Sequence, residues 1–182
     1  MSKLLVYIHG LGSKGVTTKT EQLKQVFAGT DVEIYTPDLP IDPDQVIEML
    51  SSYVKERVTQ GVTKVVFAGT SLGGFYATVL GEKFDAPYVV INPALSPAEG
   101  LLKYLKEPAI SWATGLPLDI TEEVITKLSV LEVSMPVYGT GFLGHVFLAE
   151  DDTVIPPAEA INYFKFANLY ISKDGGHRYE SR

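Results

Sequence analysis

A chain of 182 residues, 46% hydrophobic and 20% charged, is long enough for one folded domain, and this composition argues against disorder. A net charge of −7 with no basic cluster disfavours nucleic acid and anionic membrane as partners. The absence of cysteine removes disulfides, thiolate catalysis and Cys-based metal sites.

Met1-Ser2-Lys3 leads straight into a strand-like run, too short for a secretory leader, and no window approaches a membrane-spanning length. A soluble, cytoplasmic protein is therefore expected. Leu4 to Ile8 is continuously apolar, as suits a parallel strand covered on both faces. A glycine-rich loop follows, His9-Gly10-Leu11-Gly12-Ser13-Lys14-Gly15. Thr18-x-x-Glu21 then offers a capping box for a helix whose apolar face is Leu23, Val26 and Phe27. Val32 to Tyr35 reads as the second strand. Asp42-Pro43-Asp44-Gln45 is a helix start, and Val46, Met49, Leu50, Tyr53 and Val54 fall on one helical face.

Lys64 to Ala68 reads as the third strand and Tyr88 to Ile91 as the fourth. The amphipathic helix predicted between them carries Leu72, Phe75, Tyr76, Val79 and Leu80 on one side. Ser96-Pro97-Ala98-Glu99 is read as the cap of a short helix to about Leu105, and helical spacing returns at Val124, Ile125 and Leu128. Val146 to Ala149 is the fifth strand, a helix to about Phe166 follows, and Leu169 to Ile171 is the sixth. Strands alternating with helices predict a single α/β domain over residues 1–182, a mostly parallel sheet with helices on both faces. The one long interruption, about residues 95–136, is assigned to a small cap or lid over the site.

The stretch that carries chemistry is Gly69-Thr70-Ser71-Leu72-Gly73, between a buried strand and a helix. This is the layout of a nucleophile elbow, which lifts a serine hydroxyl above the carboxyl end of the sheet. Gly69 and Gly73 flank the corner because a side chain there would meet the neighbouring backbone. A serine needs a base, and the base needs an orienting acid, found in such enzymes after later strands in the order Ser, acid, His. Asp152 follows the fifth strand and His177 the sixth; Asp151 is the alternative acid. Of the three histidines, His145 precedes a strand and His9 sits beside the glycines, so structural roles are expected for both. The amides of Leu11, in the His9-Gly10-x-Gly12 loop, and Leu72 are expected to form an oxyanion hole. A rival reading remains: Gly10-x-Gly12-x-x-Gly15 also matches a dinucleotide fingerprint, with Asp38 as the ribose acid.

On these residues the chain resembles the α/β-hydrolase superfamily, and within it the small bacterial esterase family called YqiA/YcfP-like. The resemblance runs along essentially the whole chain. It is carried by Tyr7-Ile8-His9-Gly10, Thr36-Pro37-Asp38-Leu39, Gly69-Thr70-Ser71-Leu72-Gly73-Gly74-Phe75-Tyr76-Ala77, Val90-Ile91-Asn92-Pro93-Ala94, Asp152 and Gly175-Gly176-His177-Arg178. It implies an α/β-hydrolase fold, a three-layer sandwich on a six-stranded sheet of order 2-1-3-4-5-6, and a catalytic Ser71, Asp152 and His177. It also implies cleavage of short acyl esters or thioesters. Members usually continue past the histidine into a final helix, whereas Arg178-Tyr179-Glu180-Ser181-Arg182 follow here, so His177 is expected to be loosely held.

The function expected is a serine carboxylesterase for small acyl esters, with no metal or cofactor. The alternatives are an acyl-CoA or acyl-carrier thioesterase and a non-catalytic binding protein on the same fold. Leu95, Tyr104 and Trp112 are expected to line the substrate pocket, although packing accounts for them equally well. Oligomeric state is left open.

Overall fold

A computed structural model of the protein describes residues 2–136 and 143–179. Glu180, Ser181 and Arg182 of the tail lie outside the described residues. Among the described residues six strands form one sheet: β1 (Ser2–Ile8), β2 (Val32–Tyr35), β3 (Val62–Thr70), β4 (Tyr88–Ile91), β5 (Gly144–Ala149) and β6 (Asn168–Ser172). Their order is β2-β1-β3-β4-β5-β6 and every pairing is parallel. The helices are α1 (Thr18–Val26), α2 (Pro43–Thr59), α3 (Leu72–Phe84), α4 (Pro97–Leu101), α5 (Glu122–Ser134) and α6 (Ala158–Tyr163). Among the described residues, no helix is long and apolar enough to cross a membrane.

The chain leaves β1 toward β2 on one side and reaches β3 on the other, so the order in which strands are added reverses between β1 and β3. Ligands bind above the carboxyl ends of strands at such a reversal. The glycine-rich loop leaves β1 there and Ser71 leaves β3, with Ile8 in register with Gly69. Below this edge Leu4, Val6, Ile8, Phe67, Val90 and Val146 are buried at 1% exposure or less. Each such side chain contributes about 1.5–3 kcal/mol on burial. The site therefore rests on the buried centre of the sheet.

Asp42 caps α2 as expected, accepting from the amides of Asp44 at 2.9 Å and Gln45 at 3.2 Å. Val46, Leu50 and Val54 form its buried face. Other local expectations need correcting. The capping box of α1 is one residue earlier than read: Thr17 accepts from the amide of Thr20, whose own hydroxyl accepts from the amide of Thr17. Threonine supplies both halves of the box, leaving Glu21 to pair with Lys24 on the surface. Val26 is 72% exposed, so the apolar face assigned to α1 is not a core face. Helix α3 is buried from Gly73 to Gly81 without a break, because it lies against β1, β3, β4 and α2. An amphipathic pattern was the wrong expectation for a helix enclosed on all sides. Ser96 does not cap α4; its hydroxyl donates to the Glu159 carboxylate. Strand β5 starts at Gly144, so His145 lies inside it, at its amino end.

Residues 95–136 fold as α4, a 3₁₀ turn (Leu102–Leu105), a tight hairpin in which Ile110 bridges Pro117, and α5. Val124, Ile125 and Leu128 of α5 are buried, as their spacing predicts.

Candidate active site

Ser71 stands between β3 and α3 with φ 57 and ψ −124, in the left-handed region that residues with a β-carbon avoid. Two glycines make the corner possible. A β-carbon on Gly69 would lie 2.1 Å from the Gly73 carbonyl oxygen, and one on Gly73 would lie 2.0 Å from that of Ile8. Backbone bonds hold the strained residue. Its amide donates to the Ile91 carbonyl at 3.0 Å, and its carbonyl accepts from Gly74 at 2.9 Å and Ala94 at 3.1 Å. A conformation costing about 1–3 kcal/mol persists only where neighbours over-determine it in this way.

Asp152 and His177 meet above the ends of β5 and β6. His177 Nδ1 donates to Asp152 Oδ2 at 2.8 Å. The Asp152 side chain is wholly buried, and its Oδ1 accepts from the amides of Val154 at 2.8 Å and Ile155 at 2.9 Å. With Nδ1–H given to the carboxylate, Nε2 is the ring nitrogen left as an acceptor. Asp151, the alternative acid, instead accepts from the amide of Gly176 at 2.7 Å and braces the histidine loop through its backbone. Ser71 and His177 line the same cleft. Among the described residues no hydrogen bond joins them.

Reading the chain missed the residue that anchors this loop. Asn92, 2% exposed with φ 42, directly follows β4. Its Oδ1 accepts from the Ala149 amide at 2.9 Å, and its Nδ2 donates to the carbonyls of Gly176 at 2.9 Å and His177 at 3.1 Å. One amide side chain thus ties β4 to the end of β5 and to the loop carrying the imidazole. His177 is held firmly, contrary to the expectation from the short tail. An asparagine directly after a strand and before Pro93 was the available signal, since its short polar side chain tolerates positive φ.

The loop after β1 is held from two sides. His9 Nδ1 donates to the Gly10 carbonyl at 2.9 Å, and Nε2 accepts from the Leu39 amide at 3.2 Å. Both ring nitrogens are used, and burial lowers the imidazole's pKa, so His9 is a neutral brace. From the other side the hydroxyl of buried Ser111 donates to the Gly12 carbonyl at 2.9 Å, joined by the Ala113 amide at 3.0 Å. Gly12 has φ 69, and a β-carbon on it would lie 3.1 Å from the Ser111 Cα. Ser111 lies in a stretch without periodicity, which is why it carried no sequence signal.

Leu11 and Leu72 line the cleft beside Gly10 and Ser71. Leu72 opens α3, where amides lack an intrahelical acceptor, so its N–H is available to a ligand oxygen. Asp38 is engaged elsewhere: its Oδ1 accepts from the Gly15 amide at 2.6 Å, closing the glycine loop back on the turn after β2. That is a structural use of the residue that a dinucleotide site would keep for a ribose.

The cleft has a volume of about 1250 Å³ and includes Leu95, Tyr104 and Trp112 in its walls. Leu95 is 6% exposed and belongs as much to the core, whereas Trp112 is 79% exposed at the mouth. His145 stands apart, at the amino end of β5, with Nδ1 3.3 Å from the Tyr170 hydroxyl. Among the described residues, no group of three or more His, Asp or Glu is placed to hold a metal ion.

A sequence model described as "Uncharacterised protein family (UPF0227)" matches residues 4–181. A UPF0227 protein from Serratia proteamaculans (strain 568) is 27% identical over 106 residues, a match that covers 58% of either chain. Among solved structures, Est1E from Butyrivibrio proteoclasticus superposes with a TM-score of 0.70 at 15% identity, over 99% of this chain and 82% of that one. A structure reported with the metagenome-derived lipolytic enzymes LipS and LipT gives 0.70 at 16% identity, over 96% and 84% of the two chains. The monoacylglycerol lipase of Paleococcus ferrophilus gives 0.67 at 15% identity, over 96% and 86%. These likenesses establish an α/β-hydrolase fold.

Proposed function

The chain belongs to the UPF0227 family and has the α/β-hydrolase fold, and from that premise we propose that it is a serine carboxylesterase acting on small acyl esters. The observation that carries the reading is the 2.8 Å bond between His177 and buried Asp152, on the same cleft as a serine held at φ 57. Solved enzymes of this fold named as esterases or lipases add support by analogy.

In this mechanism the Ser71 hydroxyl attacks the ester carbonyl carbon while His177 Nε2 takes its proton. Asp152 keeps the ring in the Nδ1–H tautomer and offsets the charge of the imidazolium. The carbonyl oxygen becomes an oxyanion and accepts from the amides of Leu11 and Leu72. Loss of one such donor costs about 3–4 kcal/mol of transition-state stabilisation. Collapse expels the alcohol, which takes the proton from His177 and leaves Ser71 acylated. Water then attacks the acyl-enzyme, giving its proton to His177, which passes it to the Ser71 oxygen as the carboxylic acid departs. A thioester would follow the same path with a thiol as leaving group.

The test is hydrolysis of 4-nitrophenyl acetate and butyrate by the wild-type protein and Ser71→Ala. The reading expects activity that the substitution abolishes. Equal rates in the two proteins contradict it.

A further inference from the structure

We propose that Arg178 is an anion receptor at the cleft mouth, so that the preferred ester carries a carboxylate or phosphate on its leaving alcohol. This rests on the reading of Ser71 and His177 given above.

The Arg178 guanidinium lies 4.4 Å from the centre of the Trp112 ring. Both residues line the cleft, Arg178 from the histidine loop and Trp112 from the hairpin that bridges Ile110 to Pro117. Stacking on an indole fixes the plane of a guanidinium but leaves its N–H edges pointing outward. Among the described residues no carboxylate pairs with Arg178. Lys19 Nζ donates to the Arg178 backbone carbonyl at 3.1 Å, which brings a second cation to the same wall.

Lys103 and Glu107 also line the cleft and are of opposite charge. Glu99 of α4 and Glu159 of α6 line it too, with Glu159 accepting from the Ser96 hydroxyl. Both lie close enough to the half-buried Glu132 to help raise its pKa, behind the larger effect of burial. Glu99 and Glu159 repel an anion entering the cleft, and the Arg178 guanidinium attracts it. In a protein of net charge −7, this local arrangement gives an anionic ligand somewhere to go.

Chemistry decides which half of the ester the cation meets. His177 must deliver its proton to the leaving oxygen, so the alcohol packs against the histidine loop. Arg178 is the next residue on that loop. A planar fork beside the leaving group suits a carboxylate or phosphate, which it can hold in bidentate fashion.

The experiment compares kcat/KM, by butyrate release, in two substrate pairs: O-butyryl lactate against O-butyryl lactamide, and butyryl glycerol 3-phosphate against monobutyryl glycerol. The anionic-to-neutral ratio is measured for wild type, Arg178→Gln and Arg178→Lys. The expected result is a ratio that falls about tenfold in Arg178→Gln, the scale of one charge-assisted contact, with part of the loss restored in Arg178→Lys. The pair with the larger fall identifies the anion as carboxylate or phosphate. Because the mouth is exposed, the wild-type ratio should also shrink as salt is raised. A ratio unchanged in Arg178→Gln for both pairs overturns the receptor, since a clasp that only held the hairpin would lower all four rates together. If wild type and Ser71→Ala cleave the neutral esters alike, the esterase reading itself fails.

Discussion

Asn92 allows a sharp perturbation of the histidine loop. Asn92→Ala would remove three hydrogen bonds worth about 1 kcal/mol each and place alanine at positive φ for about 1–2 kcal/mol more. So large a loss confuses folding with function. Asn92→Asp is more discriminating. Its carboxylate still accepts from the Ala149 amide, its size is unchanged, and aspartate also tolerates positive φ. What changes is the group facing the carbonyls of Gly176 and His177: a donor becomes an oxygen that repels both. Two bonds, about 2 kcal/mol, are lost on the loop that carries the imidazole. If the ring shifts by about 1 Å, the rate falls on the order of a hundredfold. Steady-state hydrolysis of 4-nitrophenyl butyrate, with thermal unfolding in parallel, should show kcat down by about that factor, KM little changed and a lowered Tm. A folded Asn92→Asp protein with wild-type kcat would refute the argument that this side chain positions His177.

Ser111→Ala should lower kcat about tenfold with little change in KM, because the Gly12 carbonyl keeps only the Ala113 amide and the Leu11 amide loses its aim. The rate ratio of an oxygen ester to its thionoester should fall with it; an unchanged ratio would separate Ser111 from the oxyanion loop. Burial, with Glu159 and Glu99 nearby, raises the pKa of Glu132 above its unfolded value, so the folded state binds the extra proton and is weakened as pH rises through that range. Glu132→Gln, which keeps an acceptor for the Ala98 amide, should raise Tm near pH 7 and give no gain below about pH 4. His9 has the opposite sense: its lowered pKa means the stability it confers is whole above the unfolded value and is lost as pH falls below about 6.5. The decline in Tm from pH 7.5 to pH 5 should be shallower in His9→Gln, and an identical slope would count against the neutral brace.

The parts of the site legible in the sequence are those carried by local chemistry. Ser71 stands in a strand–glycine–helix corner that few other structures can use, and Asp152 and His177 each follow an apolar run that is a strand. Asp152 bonds the His177 ring and Asp151 the Gly176 amide, a division set by loop geometry that the sequence does not display. Asn92 and Ser111 were not legible as supports, because their partners lie far along the chain: Ala149, Gly176 and His177 for one, Gly12 for the other. The misplaced cap of α1 has a simpler cause. Thr17, Thr18 and Thr20 all suit a helix start, and only the backbone decides among them. Helix α3 misled because partial periodicity also occurs in a helix surrounded by protein.

The central claim is that Ser71 is a nucleophile activated by His177, and covalent labelling tests it without assuming a substrate. The protein and its His177→Ala variant would be treated with a fluorophosphonate and the adduct mapped by peptide mass spectrometry. The account predicts one adduct, on Ser71, forming orders of magnitude more slowly when the imidazole is removed. An unlabelled Ser71, or labelling at the same rate in both proteins, would contradict it.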